Sequence, residues 1–325
     1  MLELIAEYQS QLNLGMAKSE IAKNMAKAHP EFTRQGFLKL LMGSLEMKEK
    51  QANTYYYKYI KVNSNKDDTK RNLSIKKNVS LAPAKTPEEH LDFLFKNILS
   101  SEDESWAGFN IRSYAQSLKN LGLQIDIENF PDKALSRKDV FDYVTNCSNK
   151  LFNSCIVICA WGGMNRKHCY SAFNKWFSWK SVAEDILSGN ATRAGAYDAF
   201  ASLRKKKQLP GMGPAYYTKL IYFLSQPKNR GYIMDQWTAR SYNLLHGHHD
   251  ILMNKQVKKS GEVQAHVSDK NTSSAYEKFC YFIEKTADSL GEAVSADDVE
   301  LSMFSEGRGK GVWRSYLKVH DKHIY

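Results

Sequence analysis

The stretch Leu209-Pro210-Gly211-Met212-Gly213-Pro214-Ala215 decides the fold of this chain. Its two glycines predict a tight turn, because glycine adopts backbone angles that are costly for residues with a Cβ atom. Pro214 suits the first position of a following helix, where its missing N–H costs little. Side chains at helical spacing continue that helix at Tyr216, Tyr217, Leu220, Ile221 and Leu224. The stretch therefore predicts two helices joined by a glycine turn.

A turn of this kind binds phosphate mainly with its backbone. The helix after the turn directs free N–H groups and the positive end of its dipole toward an anion. The basic run Arg204-Lys205-Lys206-Lys207 precedes the turn and adds salt-dependent attraction to phosphates. The residues expected to contact phosphate here are Lys207, Leu209, Gly211, Met212 and Gly213. A Gly-x-Gly turn alone also occurs at helix starts that bind no ligand.

One carboxylate follows about twenty residues later, in Ile233-Met234-Asp235-Gln236-Trp237. Aspartate is a favoured N-cap, so Asp235 can be explained as the first residue of a new helix. A carboxylate can also stabilise the cation-like sugar that forms when a glycosidic bond of a nucleotide breaks, or polarise an attacking water. The two roles are compatible.

Together these motifs resemble the helix-hairpin-helix DNA glycosylases. The resemblance is strongest to bacterial proteins with an 8-oxoguanine glycosylase-like fold, which share Gly-Met-Gly-Pro-Ala-Tyr and Asp-Gln-Trp-Thr-Ala, and it covers about residues 140–325. It implies a mainly α fold and makes Asp235 the catalytic carboxylate. Family members that also cut the strand carry a lysine where this chain has Ala215, so the resemblance implies a glycosylase without lyase activity. Lys219 lies one helical turn later and is a candidate phosphate contact or substitute nucleophile.

The resemblance also points to residues outside the hairpin. The apolar run from Leu151 to Ala160 predicts a central buried helix, and a glycine loop follows it. In the family this loop fills the gap left by a flipped nucleotide, which makes Met164 and Asn165 candidate plug residues and Arg166 a DNA contact. The loop can equally be an ordinary helix C-cap. Candidates for the base pocket are Trp161, Gln236 and Trp237, each of which is otherwise a core or surface residue.

Cofactor expectations follow from the same resemblance. In the family a monovalent cation often bridges the hairpin carbonyls and a DNA phosphate, and the matching carbonyls for Na⁺ or K⁺ belong to Lys207, Leu209 and Met212. No cysteine quartet lies near the C-terminus, so we expect no iron–sulfur cluster, and no other cofactor is required. The five cysteines show no paired spacing, which argues against a disulfide framework. Cys155 and Cys159 are expected to be buried.

Charge and composition suggest three segments. The 325 residues carry a net charge of +11, which favours polyanionic partners. Residues 1–85 hold fifteen Lys and Arg against eight Asp and Glu, so most of the excess lies there. We predict a helical module at 1–61, a flexible linker at 62–86, and the glycosylase domain at 87–325. The module is either helix-turn-helix-like and DNA-binding, or a protein-interaction or dimerisation module.

The expected partner is double-stranded DNA. No apolar run is long enough for a membrane span, and the acidic N-terminus is unlike a signal peptide, so we expect a cytoplasmic protein. Some relatives are associated with phage defence, which implies targets such as glucosylated hydroxymethylcytosine. Repair of oxidised guanine is an alternative. Two other classes remain open: a non-catalytic hairpin protein that binds DNA, and a helical regulator that binds RNA or protein.

Overall fold

The computed structural model describes residues 2–29, 34–48, 52, 55, 85–99, 106–146, 150–257, 263–291, 293–304 and 311–321. These residues are mainly helical, as predicted. The α-helices are α1 Leu2–Asn13, α2 Lys18–Ala28, α3 Arg34–Leu45, α4 Pro87–Phe95, α5 Ile111–Asn120, α6 Arg137–Thr145, α7 Leu151–Trp161, α8 Arg166–Phe173, α9 Trp176–Leu187, α10 Arg193–Lys205, α11 Pro214–Leu224, α12 Gln236–His246, α13 Ser273–Leu290, α14 Ala296–Phe304 and α15 Val312–His320. Short 3-10 helices span Ile127–Asn129 and Pro227–Asn229. None of the helices in the described part of the chain is long and apolar enough to cross a membrane.

A single antiparallel strand pair stands between α12 and α13 in the described residues. Strand β1 spans Met253–Val257 and strand β2 spans Val263–Val267, with Met253 opposite Val267. The sequence alone does not predict this strand pair. The reason is that β1 is short and mostly exposed, so it lacks the apolar alternation by which a half-buried strand is recognised.

The chain divides into two compact units. The first consists of Met1–Asp103 and Glu284–Ser302. Helices α1 to α3 bury a shared apolar cluster, which includes Tyr8, Ile21, Met25, Phe37, Leu40 and Leu41. The function predicted for residues 1–61 stays a prediction. The predicted linker at 62–86 lies outside the described residues except for Lys85 and Thr86.

Helix α4 begins with a complete N-terminal cap. Thr86 is the N-cap and Pro87 the first helical residue. The Thr86 hydroxyl accepts from the N–H of Glu89 at 3.3 Å, and the Glu89 carboxylate accepts from the N–H of Thr86 at 2.8 Å. This reciprocal capping box satisfies two N–H groups that have no partner within the helix.

The second unit consists of Glu104–Ile283 and Met303–Tyr325, and its core is built around α7 and α11. Every residue from Ser154 to Trp161 is buried in α7, and every residue from Tyr217 to Leu224 is buried in α11. Burial on all faces identifies central helices, which confirms the prediction for 151–160. Cys155 and Cys159 are buried as predicted, and burial raises the pKa of the Cys155 thiol.

Candidate active site

The predicted glycine turn joins α10 to α11 and begins with a lysine in the left-handed conformation. Lys207 has a φ of 57°. Its N–H donates to the Arg204 carbonyl at 2.9 Å, and the next N–H, of Gln208, donates to the Leu203 carbonyl at 2.8 Å. These two bonds form a Schellman motif, which ends α10 and satisfies two of its last carbonyls.

The second half of the turn is anchored in the core. Leu209 and Met212 are fully buried. Gly213 is the N-cap of α11 and Pro214 occupies its first position, as the sequence predicts. The amides at the start of α11 are therefore presented by a turn that is fixed on both sides. The phosphate contacts assigned to this turn stay a prediction.

Gly211 brings the hairpin against the start of α8. Its φ of 75° lies in the left-handed region, and a Cβ atom there would lie 2.8 Å from the His168 carbonyl oxygen and 2.9 Å from the His168 Cα. Only glycine satisfies both conditions without strain. The loop before α8 is the predicted plug loop, so the structure places the two expected DNA-contacting elements side by side.

The plug loop turns out to be a second Schellman motif. Gly163 has a φ of 70°, and the N–H of Met164 donates to the Cys159 carbonyl at 3.0 Å. The residue at this position of the motif commonly makes an apolar contact with the helix. Met164 is accordingly fully buried. The expectation that Met164 enters the duplex does not fit this position, because its side chain contributes to the core instead.

Asn165 and Arg166 form the more exposed part of this loop. The side-chain oxygen of Asn165 accepts from the N–H of Lys167 at 2.9 Å and so caps α8, while the residue stays exposed. The Arg166 guanidinium lies 4.5 Å from the centre of the Phe109 ring. An open groove of about 420 Å³ lies beside them, lined by Ser117, Asn120, Leu121, Asn165, Arg166 and Lys167. Asn165 therefore remains the plug candidate.

Asp235 is the N-cap of α12 and uses one carboxylate oxygen for that purpose. Its Oδ1 accepts from the N–H groups of Trp237 at 2.7 Å and Thr238 at 3.2 Å. The Thr238 hydroxyl accepts in return from the N–H of Asp235 at 2.9 Å. The side chain is 13% exposed. The cap fixes the carboxylate and leaves Oδ2 directed to another partner.

That partner is the amine of Lys219, on the neighbouring helix α11. Lys219 Nζ lies 3.9 Å from Oδ2 of Asp235, and its side chain is only 7% exposed. The amine also donates to the Ala215 carbonyl at 2.8 Å. A Cβ atom on Gly162 would lie 2.7 Å from Lys219 Cδ, so the lysine stem passes directly over this glycine. This burial fits a role beside Asp235 better than the phosphate contact that the sequence also allows.

Tyr216 adds a neutral hydroxyl to the same cluster. The Lys219 amine lies 5.6 Å from the centre of the Tyr216 ring. Burial, together with the nearby Cys159 and Asp235, raises the pKa of Tyr216 to about 12. The phenol therefore stays protonated at neutral pH and can donate a hydrogen bond.

Cationic side chains surround the ring of Trp237. The Arg314 guanidinium lies 4.3 Å from the ring centre, that of Arg240 lies at 5.0 Å, and Lys318 Nζ at 5.8 Å. Burial lowers the pKa of Arg314, and the charge of Asp235 partly opposes this. Such cation–π contacts hold a half-buried aromatic ring in a fixed orientation.

Helix α15 supplies two of these three cations. Trp313 Nε1 donates to the Ser241 hydroxyl at 2.8 Å, which fastens α15 to α12. Neither Arg314 nor Lys318 is among the pocket residues expected from the sequence, because their approach to Trp237 depends on how α15 packs on α12. Residues 305–310 lie outside the described residues.

The three pocket candidates differ in their surroundings. Gln236 follows Asp235 and is partly exposed, as is Trp237. Trp161 is 1% exposed and packs edge-to-face on Phe223, with ring centres 4.9 Å apart. The expectation that its ring faces a flipped base does not fit this position. The backbone of Trp161 holds a second tryptophan in place, because its carbonyl accepts from Trp106 Nε1 at 2.8 Å.

Across the residues that the structure describes, no group of three His, Cys, Asp or Glu is suited to hold a metal ion. One protein family, described as "Putative 8-oxoguanine DNA glycosylase OGG-like protein", matches residues 102–304. The chain belongs to this OGG-like family. Comparisons with curated proteins and with solved structures found no match.

Membership in the OGG-like family confirms the resemblance predicted from the hairpin and Asp235. It implies that the protein acts on DNA. The matched range contains Gly162, Lys219 and Asp235, so the whole carboxylate cluster lies within the family segment. Helix α15 of this OGG-like protein lies after the matched range.

Proposed function

We propose that this OGG-like protein is a monofunctional DNA glycosylase, which binds double-stranded DNA, flips out a damaged or modified base and hydrolyses its glycosidic bond. The observation that carries the proposal is the Asp235 carboxylate. One oxygen is fixed by the α12 amides, and the other lies 3.9 Å from a buried lysine. A carboxylate held in this way needs no reorganisation when positive charge develops on a sugar.

Binding is assigned to the hairpin and the loop before α8. The amides at the start of α11 receive a phosphate, because the helix dipole favours an anion there. The contact between Gly211 and His168 keeps the two elements adjacent. Asn165, which is exposed at the head of α8, fills the space that the flipped nucleotide leaves.

The chemical step breaks the bond between the sugar C1′ and the base nitrogen, and the electron pair leaves with the base. The sugar becomes cation-like, and the Asp235 carboxylate stabilises it. A water oxygen then bonds to C1′ and transfers a proton to the carboxylate. The carboxylate releases this proton to the solvent and the departed base takes up one proton from the solvent, so that one water is consumed and the DNA keeps an abasic site with an intact backbone.

The proposed lack of strand cleavage is supported by the residues on α11. Ala215 stands where strand-cleaving relatives carry a lysine, and a methyl group cannot act as a nucleophile. The amine of Lys219 donates to the Ala215 carbonyl and faces Asp235. We assign Lys219 to positioning and charge balance of the carboxylate rather than to a Schiff base.

The substrate is a base that stacks on Trp237, whose ring is fixed by Arg240 and Arg314. The proposed targets are bulky modified bases of phage DNA, such as glucosylated hydroxymethylcytosine. Removal of such bases is the proposed role of the protein in phage defence. Oxidised guanine, removed in repair, is the alternative substrate.

The test is base release from duplexes that carry single modified bases. Each duplex is incubated with the protein and then heated with or without alkali. We expect strand breaks only after alkali, and none with Asp235→Asn. Salt-sensitive DNA binding without base release from any duplex would instead establish a non-catalytic DNA-binding protein. Tighter binding of RNA than of duplex DNA would favour an RNA-binding regulator.

A further inference from the structure

One carbonyl of the hairpin already has a cation beside it. Nη1 of Arg204 donates to the Leu209 carbonyl oxygen at 3.3 Å. The same guanidinium forms a two-bond pair with Asp269, in which Nε donates to Oδ1 at 3.1 Å and Nη2 donates to Oδ2. Planar pairs of this kind fix the guanidinium in both position and orientation.

Asp269 reaches the hairpin from a distant part of the chain. It follows strand β2, 65 residues after Arg204. A Cβ atom on Gly213 would lie 3.7 Å from Asp269 Oδ1, so the carboxylate lies next to the N-cap of α11. The ion pair therefore ties the end of β2 to the turn that starts the phosphate-binding helix.

These contacts do not fit a bound Na⁺ or K⁺ at the predicted carbonyls of Lys207, Leu209 and Met212. The Leu209 carbonyl points to a guanidinium, and a second cation there would be repelled. Both oxygens of Asp269, the nearby carboxylate, already accept from Arg204. A bound metal would have to displace these bonds.

Arg204 keeps capacity for a further anion. A guanidinium has five N–H donors, and the bonds to Asp269 and Leu209 use three of them. The side chain is 24% exposed, so it is accessible at the surface of the hairpin. A phosphate oxygen is a strong acceptor for the remaining donors.

We propose that the Arg204 guanidinium, held by Asp269, takes the place of a monovalent cation at the hairpin and binds the DNA phosphate there. The inference rests on the proposed function in one respect, that the hairpin binds duplex DNA. It predicts that binding does not depend on which monovalent cation is present.

The test measures fluorescence anisotropy of a labelled, unmodified duplex with the full-length protein. Affinity is compared in KCl, NaCl and tetramethylammonium chloride at equal ionic strength. We expect Kd values within about twofold of one another, since none of the three ions has to be bound. A Kd at least fivefold weaker in tetramethylammonium would show a bound metal cation and overturn the inference, while the proposed function would stand. No duplex binding in any salt would overturn both.

Variants distinguish a specific role of the Arg204 guanidinium from the general effect of positive charge near the hairpin. We expect Arg204→Gln to weaken binding about tenfold. Lys206→Gln is the matched control, because it removes the same charge from an exposed neighbour, and we expect about a twofold effect. Arg204→Lys keeps the charge but cannot span Asp269 and Leu209, so we expect it to bind at least threefold more weakly than the unmodified protein. Thermal melting identifies variants that have not folded. Equal effects of Arg204→Gln and Lys206→Gln, or full affinity in Arg204→Lys, would overturn the inference.

Discussion

Lys219 Nζ lies 3.9 Å from Oδ2 of Asp235, the carboxylate oxygen that does not accept from the amides of α12. The two oxygens of one carboxylate are thus divided between a helix cap and a buried amine. This division separates the helix cap that Asp235 forms from the chemical role proposed for it, and substitutions can test the two independently.

Replacement of Asp235 by asparagine should abolish most of the activity. Asparagine is as good an N-cap as aspartate, so α12 keeps its start, but a neutral amide cannot stabilise a cation-like sugar. We expect base release to fall by about 100-fold or more, with affinity for unmodified duplex changed by about twofold at most. Single-turnover assays and anisotropy measure the two quantities. Full activity in Asp235→Asn would contradict the assignment.

Replacement of Asp235 by alanine should add a folding defect to the same loss of activity. Alanine cannot accept from the N–H groups of Trp237 and Thr238, and loss of a cap costs about 1 kcal/mol. We expect Asp235→Ala to unfold at lower urea concentration than Asp235→Asn. Asn110→Ala is the control, because Asn110 caps α5 by accepting from the N–H of Ser113. It should lose similar stability and keep base release.

Lys219 should act without forming a covalent bond to DNA. We expect no species trapped by borohydride with the unmodified protein, and about tenfold slower base release in Lys219→Met. Because a buried lysine that loses its carboxylate is destabilising, Asp235→Asn combined with Lys219→Met should be more stable than Asp235→Asn alone. Trapping that disappears in Lys219→Met would identify the lysine as a nucleophile and refute this prediction.

Gly162 should affect activity through Lys219. A methyl group at this position would lie 2.7 Å from Lys219 Cδ, so Gly162→Ala must move the lysine stem. We expect base release to fall about tenfold, and stability to fall by about 1–2 kcal/mol from overpacking. Gly195→Ala is the control, because the added methyl meets only the Thr192 hydroxyl, at 3.2 Å. Equal activity of the two variants would show that the position of Lys219 is unimportant.

Tyr216 should make stability fall at high pH. Its pKa in the folded protein is about 12, above the usual value of 10, so the folded state holds the proton more tightly. The resulting stabilisation is present below pH 10 and is lost as pH rises toward 12, by up to about 2–3 kcal/mol. Urea unfolding at pH 9 and pH 11 measures it. The drop should be smaller in Tyr216→Phe, and an equal drop would exclude Tyr216 as a source.

Much of the site could be predicted from short stretches of sequence. The turn at Gly211 and Gly213, the cap at Asp235 and the start of α4 at Thr86 depend on local backbone preferences, which a few neighbouring residues determine. The burial of α7 can be predicted from its apolar composition alone. These features are therefore readable without knowledge of the rest of the fold.

The remaining features depend on contacts between distant segments. The burial of Met164 depends on the turn at Gly163 and on the core beneath it. The approach of Lys219 to Asp235 requires α7 and α11 to pack at Gly162. The pair between Arg204 and Asp269 joins residues 65 positions apart. The local sequence pattern carries no information on which distant residues come into contact.

The three cationic side chains around Trp237 come from two separate regions of the chain. Arg240 lies within residues 102–304, which the family shares, whereas Arg314 and Lys318 come from the helix after them. Asp235, the proposed catalytic carboxylate, and the surface proposed to touch a base can therefore diverge at different rates. Among relatives, preference for a base should follow the sequence of this last helix more closely than that of the hairpin.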